Sequence, residues 1–186
     1  MNNEQAASQA RLEQFVVFVL DNEEYAVPIL SVTEVVPTLE ITAVPNAPDY
    51  ILGLTNLRGK IVPVLDLEKK FALHRDTQTI HQHIMIAESG QKVLFGILVD
   101  QVKEVLKIPA DAIKPPPEIL QARISSEYLP GVIVLEGDPQ QGVQERILLI
   151  LDLQKILSEK NVEELQAVQG GSVTPPAPIN EKGEEV

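Results

Sequence analysis

A twelve-residue stretch of this chain recurs in diverged form, and that recurrence constrains the fold more than any other feature. YAVPILSVTEVV (25–36) aligns without a gap to FGILVDQVKEVL (95–106), an offset of 70 residues. Tyr25 falls on Phe95, Val32 on Val102, Glu34 on Glu104 and Val35 on Val105. Further along, DYILG (49–53) resembles EYLPG (127–131), and IVPVLDL (61–67) resembles ILLILDL (147–153). Chance can supply one such match between Val- and Ile-rich segments; three in the same order indicate two units of similar build. Two units are too few for a solenoid or a propeller, whose modules need several neighbours to bury their faces.

Each unit reads as short strands, because apolar runs of five to eight residues alternate with turn signals. FVVFVL (15–20) and YAVPIL (25–30) flank DNEE; ILGLTNL (51–57) and IVPVLDL (61–67) flank Arg58, Gly59 and Lys60. HIMIA (83–87) and VLFGILV (93–99) flank a Ser-Gly turn, and GVIVLEG (131–137) and RILLILDL (146–153) flank a polar loop. The runs are built on Val, Ile and Leu, with four Phe, three Tyr and no Trp; branched side chains of this kind suit a pleated, half-buried surface. Gly59 can supply the positive φ of a tight hairpin. LEKKFAL (67–73) and LQKILSEKNVEELQAVQ (153–169) read as helices, the second with Leu153, Ile156, Leu157 and Leu165 on one stripe.

The expected fold is all-β, two packed barrels with a C-terminal helix, since barrels hide strand edges that would otherwise aggregate. A barrel of about 60–70 residues is marginal alone, so the two should pack on a shared apolar face and leave a groove where they meet. The folded domain is expected over 14–166, its second repeat unit at about 83–153, with a flexible stretch over 1–13 and a disordered Gly/Pro/acidic tail over 167–186. The division of the N-terminal strands between the barrels stays open.

A formal charge of −12 argues against nucleic acid, which is held by neutralising phosphates. With no cysteine, disulfides and thiolate metal sites are excluded. No run approaches the roughly 18 apolar residues of a membrane span, so a cytoplasmic protein with no direct membrane insertion is expected. Catalytic chemistry finds little material. His74, His81 and His83 lie in a polar stretch with no evident third ligand, so no metal is expected. Ser125 and Ser126 lack a nucleophile-elbow context, and no Gly-rich phosphate loop suggests a nucleotide or other cofactor. Asp66 and Asp152 could be paired acid/base carboxylates, but both precede a helical pattern at the same repeat position, where a carboxylate caps a first turn.

Asn56, Leu57, Arg58 and Gly59, followed by Ile61, Val62, Pro63, Val64, Asp66 and Leu67, form the most recognisable motif. Together with EYAVPILSVTEV (24–35), ILVDQVKEVL (97–106), IKPPPE (113–118) and EYLPGV (127–132), it resembles the CheW family over 14–166. The resemblance implies two five-stranded, SH3-like β-barrels packed together. It implies a non-catalytic adaptor coupling chemoreceptors to the CheA histidine kinase, or a related adaptor in a system controlling surface or pilus motility. Carried over position by position, Val32, Glu34, Asn56 and Arg58 are implied to bind the chemoreceptor cytoplasmic tip. Val16, Ile29 and Val102 are implied to meet the kinase regulatory domain, although each also fits an ordinary core position. From Leu12 through Glu68 the only basic residues are Arg58 and Lys60, against nine Asp or Glu. Arg58 can therefore pair with a neighbour such as Glu34, or present its donor fork to a partner.

Overall fold

The computed structural model describes residues 11–73, 83–90, 92–121, 123–137 and 144–156. β1 (Leu12–Leu20) and β2 (Glu23–Pro28) form a hairpin through Asp21 and Asn22, whose φ values of 48° and 62° suit a two-residue primed turn. Glu23 and Glu24, expected in the turn, open β2 instead. A 3-10 turn at Ile29–Ser31 leads into β3 (Val32–Pro37). β4 (Ile51–Leu57) and β5 (Lys60–Leu65) precede the single-turn α1 (Leu67–Lys70). After β6 (His83–Glu88) and β7 (Leu94–Val99), the long β8 (Gln101–Pro109) reaches β9 (Ile113–Lys114) through a 3-10 turn at Ala110–Ala112. α2 (Glu118–Gln121), β10 (Gly131–Leu135), β11 (Arg146–Ile150) and α3 (Leu153–Ile156) follow. The rest of the expected helix over 153–169, His74, His81 and both chain ends lie outside the described residues.

The strands form two sheets, ordered β3-β6-β7-β5-β4 and β8-β1-β2-β11-β10-β9. Read position by position the orders are the same, and the bridge of Thr42 to Leu54 outside β4 stands where β9 stands outside β10. The edges of each sheet are near-consecutive in the chain. Three residues join β8 to β9, and four separate β3 from Thr42. Each sheet therefore curls back on itself in the manner of a small barrel. Even the parallel contacts repeat: Val64 pairs with Gly96 as Ile150 pairs with Ala26.

The repeat in sequence and the barrel in space do not coincide. The N-terminal hairpin β1–β2 completes the sheet of β8–β11, whereas β6–β7 completes the sheet of β3–β5. Each unit lends its hairpin to the other. The unit over 83–153 thus contributes to both barrels, here called first (β3–β7) and second (β1, β2 and β8–β11).

Period-2 alternation then distributes the apolar side chains. Phe15, Val17 and Ala26 fill the second barrel with Ile133, Leu148 and Ile150. Ile84, Ile86 and Leu98 fill the first with Leu57, Val62 and Val64. The opposite faces of the same hairpins, carrying Val16, Phe18, Tyr25, Met85, Phe95 and Ile97, meet in a third cluster between the barrels. Both faces of these hairpins are buried, which is why their sequences are near-continuous apolar runs.

Candidate protein-binding site

Two local devices build the site at the tip of the first barrel. The first is the two-residue turn between β4 and β5. Arg58 (φ 53°) and Gly59 (φ 87°) both adopt left-handed geometry, and Asn56 Oδ1 accepts a hydrogen bond from the Gly59 N–H at 2.7 Å. Asn56 thereby shapes the turn that lifts Arg58 into solvent. The second device is a β-bulge in β3. The register against β6 slips between Val32 and Glu34, so Thr33 is the extra residue, and such bulges re-aim neighbouring side chains. Glu34 is turned towards the hairpin tip, where its Oε2 lies 2.9 Å from Arg58 Nη2. The side chain of Arg58 remains 78% exposed.

A groove of about 400 Å³ adjoins the hairpin at Asn56, lined by Leu39, Leu54 and Ile61 together with Glu40, Thr42 and Thr55. The Thr55 hydroxyl donates to the Glu40 carbonyl at 2.9 Å and ties the loop to β4. The site thus offers one exposed guanidinium, two carboxylates (Glu34 and Glu40), an amide and an apolar trough. That is material for gripping a protein segment. Among the described residues no group of three or more His, Asp or Glu could hold a metal.

The receptor-binding candidates are brought together in part. Glu34, Asn56 and Arg58 share the hairpin tip; Val32 lies on the other side of the bulge and packs against the core between the barrels. The kinase-binding candidates separate by depth. Val16 is 5% exposed and belongs to that core, whereas Ile29 and Val102 are half-buried at its margin. The cross-strand partner of Val16 is the exposed Val105. Leu30, next to Ile29 in the 3-10 turn, is 98% exposed. Sequence reading passed over Leu30 as a surface residue, because an outward-facing apolar residue in an apolar run carries no local mark.

Asp66 and Asp152 are helix caps. Asp66 Oδ1 accepts from the Lys69 N–H at 3.0 Å, and Asp152 Oδ1 from the Gln154 and Lys155 N–H groups at 3.1 and 3.3 Å. Their own N–H groups bond to the carbonyls of Tyr50 and Tyr128, so DYILG and EYLPG stand at the same place in the two units. No helix among the described residues is long and apolar enough to cross a membrane.

A family model described as the CheW-like domain matches residues 14–161. The chemotaxis protein CheW of Klebsiella aerogenes is 38% identical over 150 residues, 81% of this chain and 84% of that protein. That of Helicobacter pylori is 32% identical over 146 residues, covering 78% and 82%. The protein FrzA of Myxococcus xanthus is 33% identical over 135 residues, covering 72% and 82%. Among solved structures, the scaffolding protein TtCheW from Thermoanaerobacter tengcongensis superposes with a TM-score of 0.68 at 30% identity, covering 86% of this chain and 96% of that one. With the doubled, hairpin-exchanged β-fold and a family match spanning the described strands from Gln14 of β1 onward, this chain belongs to the CheW family.

Proposed function

We propose that this protein is a non-catalytic adaptor of chemotaxis, coupling chemoreceptors to a CheA-type histidine kinase. The observation that carries the reading is the exposed Arg58, held by a single carboxylate near an apolar groove in a chain of the CheW family. The receptor's cytoplasmic tip enters at the hairpin tip of the first barrel. Arg58 donates to its carboxylates or carbonyls, since a guanidinium fork suits both. Glu34 and Asn56 hold Arg58 in position, and Val32 adds apolar contact. The kinase regulatory domain docks at the margin of the interbarrel core, on Ile29 and Val102 with Val16 beneath them. The protein is cytoplasmic and reaches arrays at the inner membrane through the receptor.

Arg58→Glu tests the receptor side. An exposed ion pair contributes about 0–1 kcal/mol, which for a chain of this size moves Tm by no more than about 2–4 °C. The variant is expected to lose receptor-dependent kinase stimulation with an unchanged circular dichroism spectrum. Full coupling by a folded R58E protein would remove Arg58 from the site. The alternative partner is a kinase of a related system driving surface or pilus motility. A pulldown offering kinases of both kinds separates the two readings.

A further inference from the structure

The bulge of the first barrel recurs in the second, and a Glu–Arg pair stands beside it there too, although its arginine occupies the repeat position of Lys60 and not that of Arg58. The register of β8 against β1 slips between the partners of Val17 and Phe18, leaving Lys103 as the extra residue where Thr33 stands in β3. Glu104, the repeat partner of Glu34, is turned towards the β10–β11 hairpin as Glu34 is towards β4–β5. There its Oε1 lies 2.9 Å from Arg146 Nη1, which matches the 2.9 Å between Glu34 and Arg58. Each barrel therefore ends in a glutamate on a bulged strand facing an arginine from the neighbouring hairpin.

The two ends differ in what surrounds that pair. In the second barrel Arg146 Nε donates to Glu24 Oε2 at 2.8 Å, and Nη2 stands 2.8 Å from the same oxygen. Lys103 closes on the other oxygen of Glu24. All three guanidinium nitrogens thus face a carboxylate, and the Arg146 side chain is 33% exposed where that of Arg58 is 78%. The positions responsible are those where the repeat has diverged. Glu24 corresponds to Leu94, and Lys103 to Thr33.

We propose that the Glu104–Arg146 pair of the second barrel is a latent counterpart of the receptor-binding pair Glu34–Arg58, closed by Glu24 and Lys103, and that these two residues confine the adaptor to one receptor segment. The inference rests on the receptor reading given above. A guanidinium facing two carboxylates is charge-compensated, and its Nη2 is buried from solvent, so the partner chemistry that suits Arg58 meets a neutralised, less accessible group at Arg146. Restoring the repeat residues, Glu24→Leu with Lys103→Thr, leaves Arg146 with Glu104 alone and re-creates the first tip's charge pattern.

The test is a calorimetric titration of the full chain with a soluble receptor cytoplasmic fragment. The wild type is expected to bind one fragment and E24L/K103T two; adding Arg58→Glu to the double variant is expected to return the count to one. A folded double variant that still binds a single fragment overturns the proposal. Failure of the wild type to bind any fragment overturns the receptor reading itself. Because E24L/K103T removes partly buried ion pairs and could unfold, the isosteric Glu24→Gln provides a second arm that needs no receptor. Arginine modification by phenylglyoxal, mapped by mass spectrometry, is expected to label Arg58 readily and Arg146 poorly in the wild type. In E24Q, labelling of Arg146 is expected to rise several-fold towards that of Arg58. Unchanged labelling of Arg146 in folded E24Q overturns the assignment of Glu24 as the closing residue.

Discussion

Asp66 illustrates how a single residue can look chemical and act mechanically. Its carboxylate is buried, but one oxygen accepts from the first turn of α1 and the other lies 3.9 Å from Lys69 Nζ. Losing such a cap costs about 0.5–2 kcal/mol. Asp66→Ala and Asp152→Ala are therefore each expected to lower the unfolding free energy measured by urea titration by that amount and to leave receptor and kinase binding unchanged; loss of function in a folded variant would contradict a purely capping role. Glu24 responds to pH instead. Burial works against its charge, but hydrogen bonds from Lys103 and Arg146 outweigh that effect and hold its carboxyl below the ordinary carboxylate range. A carboxyl lowered on folding stabilises the native state above its unfolded value, near pH 4.3–4.5. That contribution disappears as pH falls through the lower folded value. The Tm difference between wild type and Glu24→Gln is thus expected to be greatest near neutral pH and to shrink below about pH 4.

Among the elements, the closing segments explain two glycines. Gly53 has φ 150°, and a Cβ there would lie 2.2 Å from the Thr42 carbonyl oxygen. At Gly131, its repeat partner, a Cβ would lie 2.7 Å from Ile113 Cγ2 and 3.0 Å from the Lys114 carbonyl oxygen. Each glycine sits where the chain crosses back over the barrel. Gly53→Ala meets backbone and an unfavourable φ together, so it is expected to cost at least about 2–3 kcal/mol. Gly131→Ala meets the end of a side chain first and should cost less in the same urea titration; the reverse order would argue against closure at Thr42. These elements differ in how far sequence reveals them. The Arg58–Gly59 turn and the two aspartate caps were legible because their partners lie within three residues. The bulges at Thr33 and Lys103 were not, since nothing about threonine or lysine marks a bulge. The contact of Glu24 with Arg146 spans 122 residues, and only the fold brings such a pair together. The same limit applies to the site: Arg58 stood out as one of two cations in an acidic half, while the groove near it depends on which face of each strand points outward.

At the scale of the whole molecule, the exchange of hairpins decides how the two halves can be separated. A cut between the sequence repeats, at the stretch over 74–82, leaves residues 11–73 with β3, β4 and β5 but without β6 and β7, which stand between β3 and β5 in their sheet. The same fragment carries β1–β2 with no β8 or β11 to flank them. Neither fragment then holds a complete sheet, and isolated hairpins are at best marginally stable in water. Fragments 11–73 and 83–156 are each expected to show no cooperative melting alone. A piece over 32–99 behaves differently, because it contains every strand of the first barrel in one continuous stretch. It retains the interior of Val62, Val64, Ile84 and Ile86 but exposes Met85, Phe95 and Ile97, which the intact protein buries between the barrels. A core of that size rarely supplies more than about 3–5 kcal/mol, and the exposed apolar face favours self-association. The 32–99 piece is therefore expected to give a β-type circular dichroism spectrum, a weak but cooperative urea transition, and dimers or larger species in sedimentation. A cooperative, monomeric 11–73 fragment would show that the barrels are not interleaved, because that outcome requires β1–β2 to pair with β3–β5.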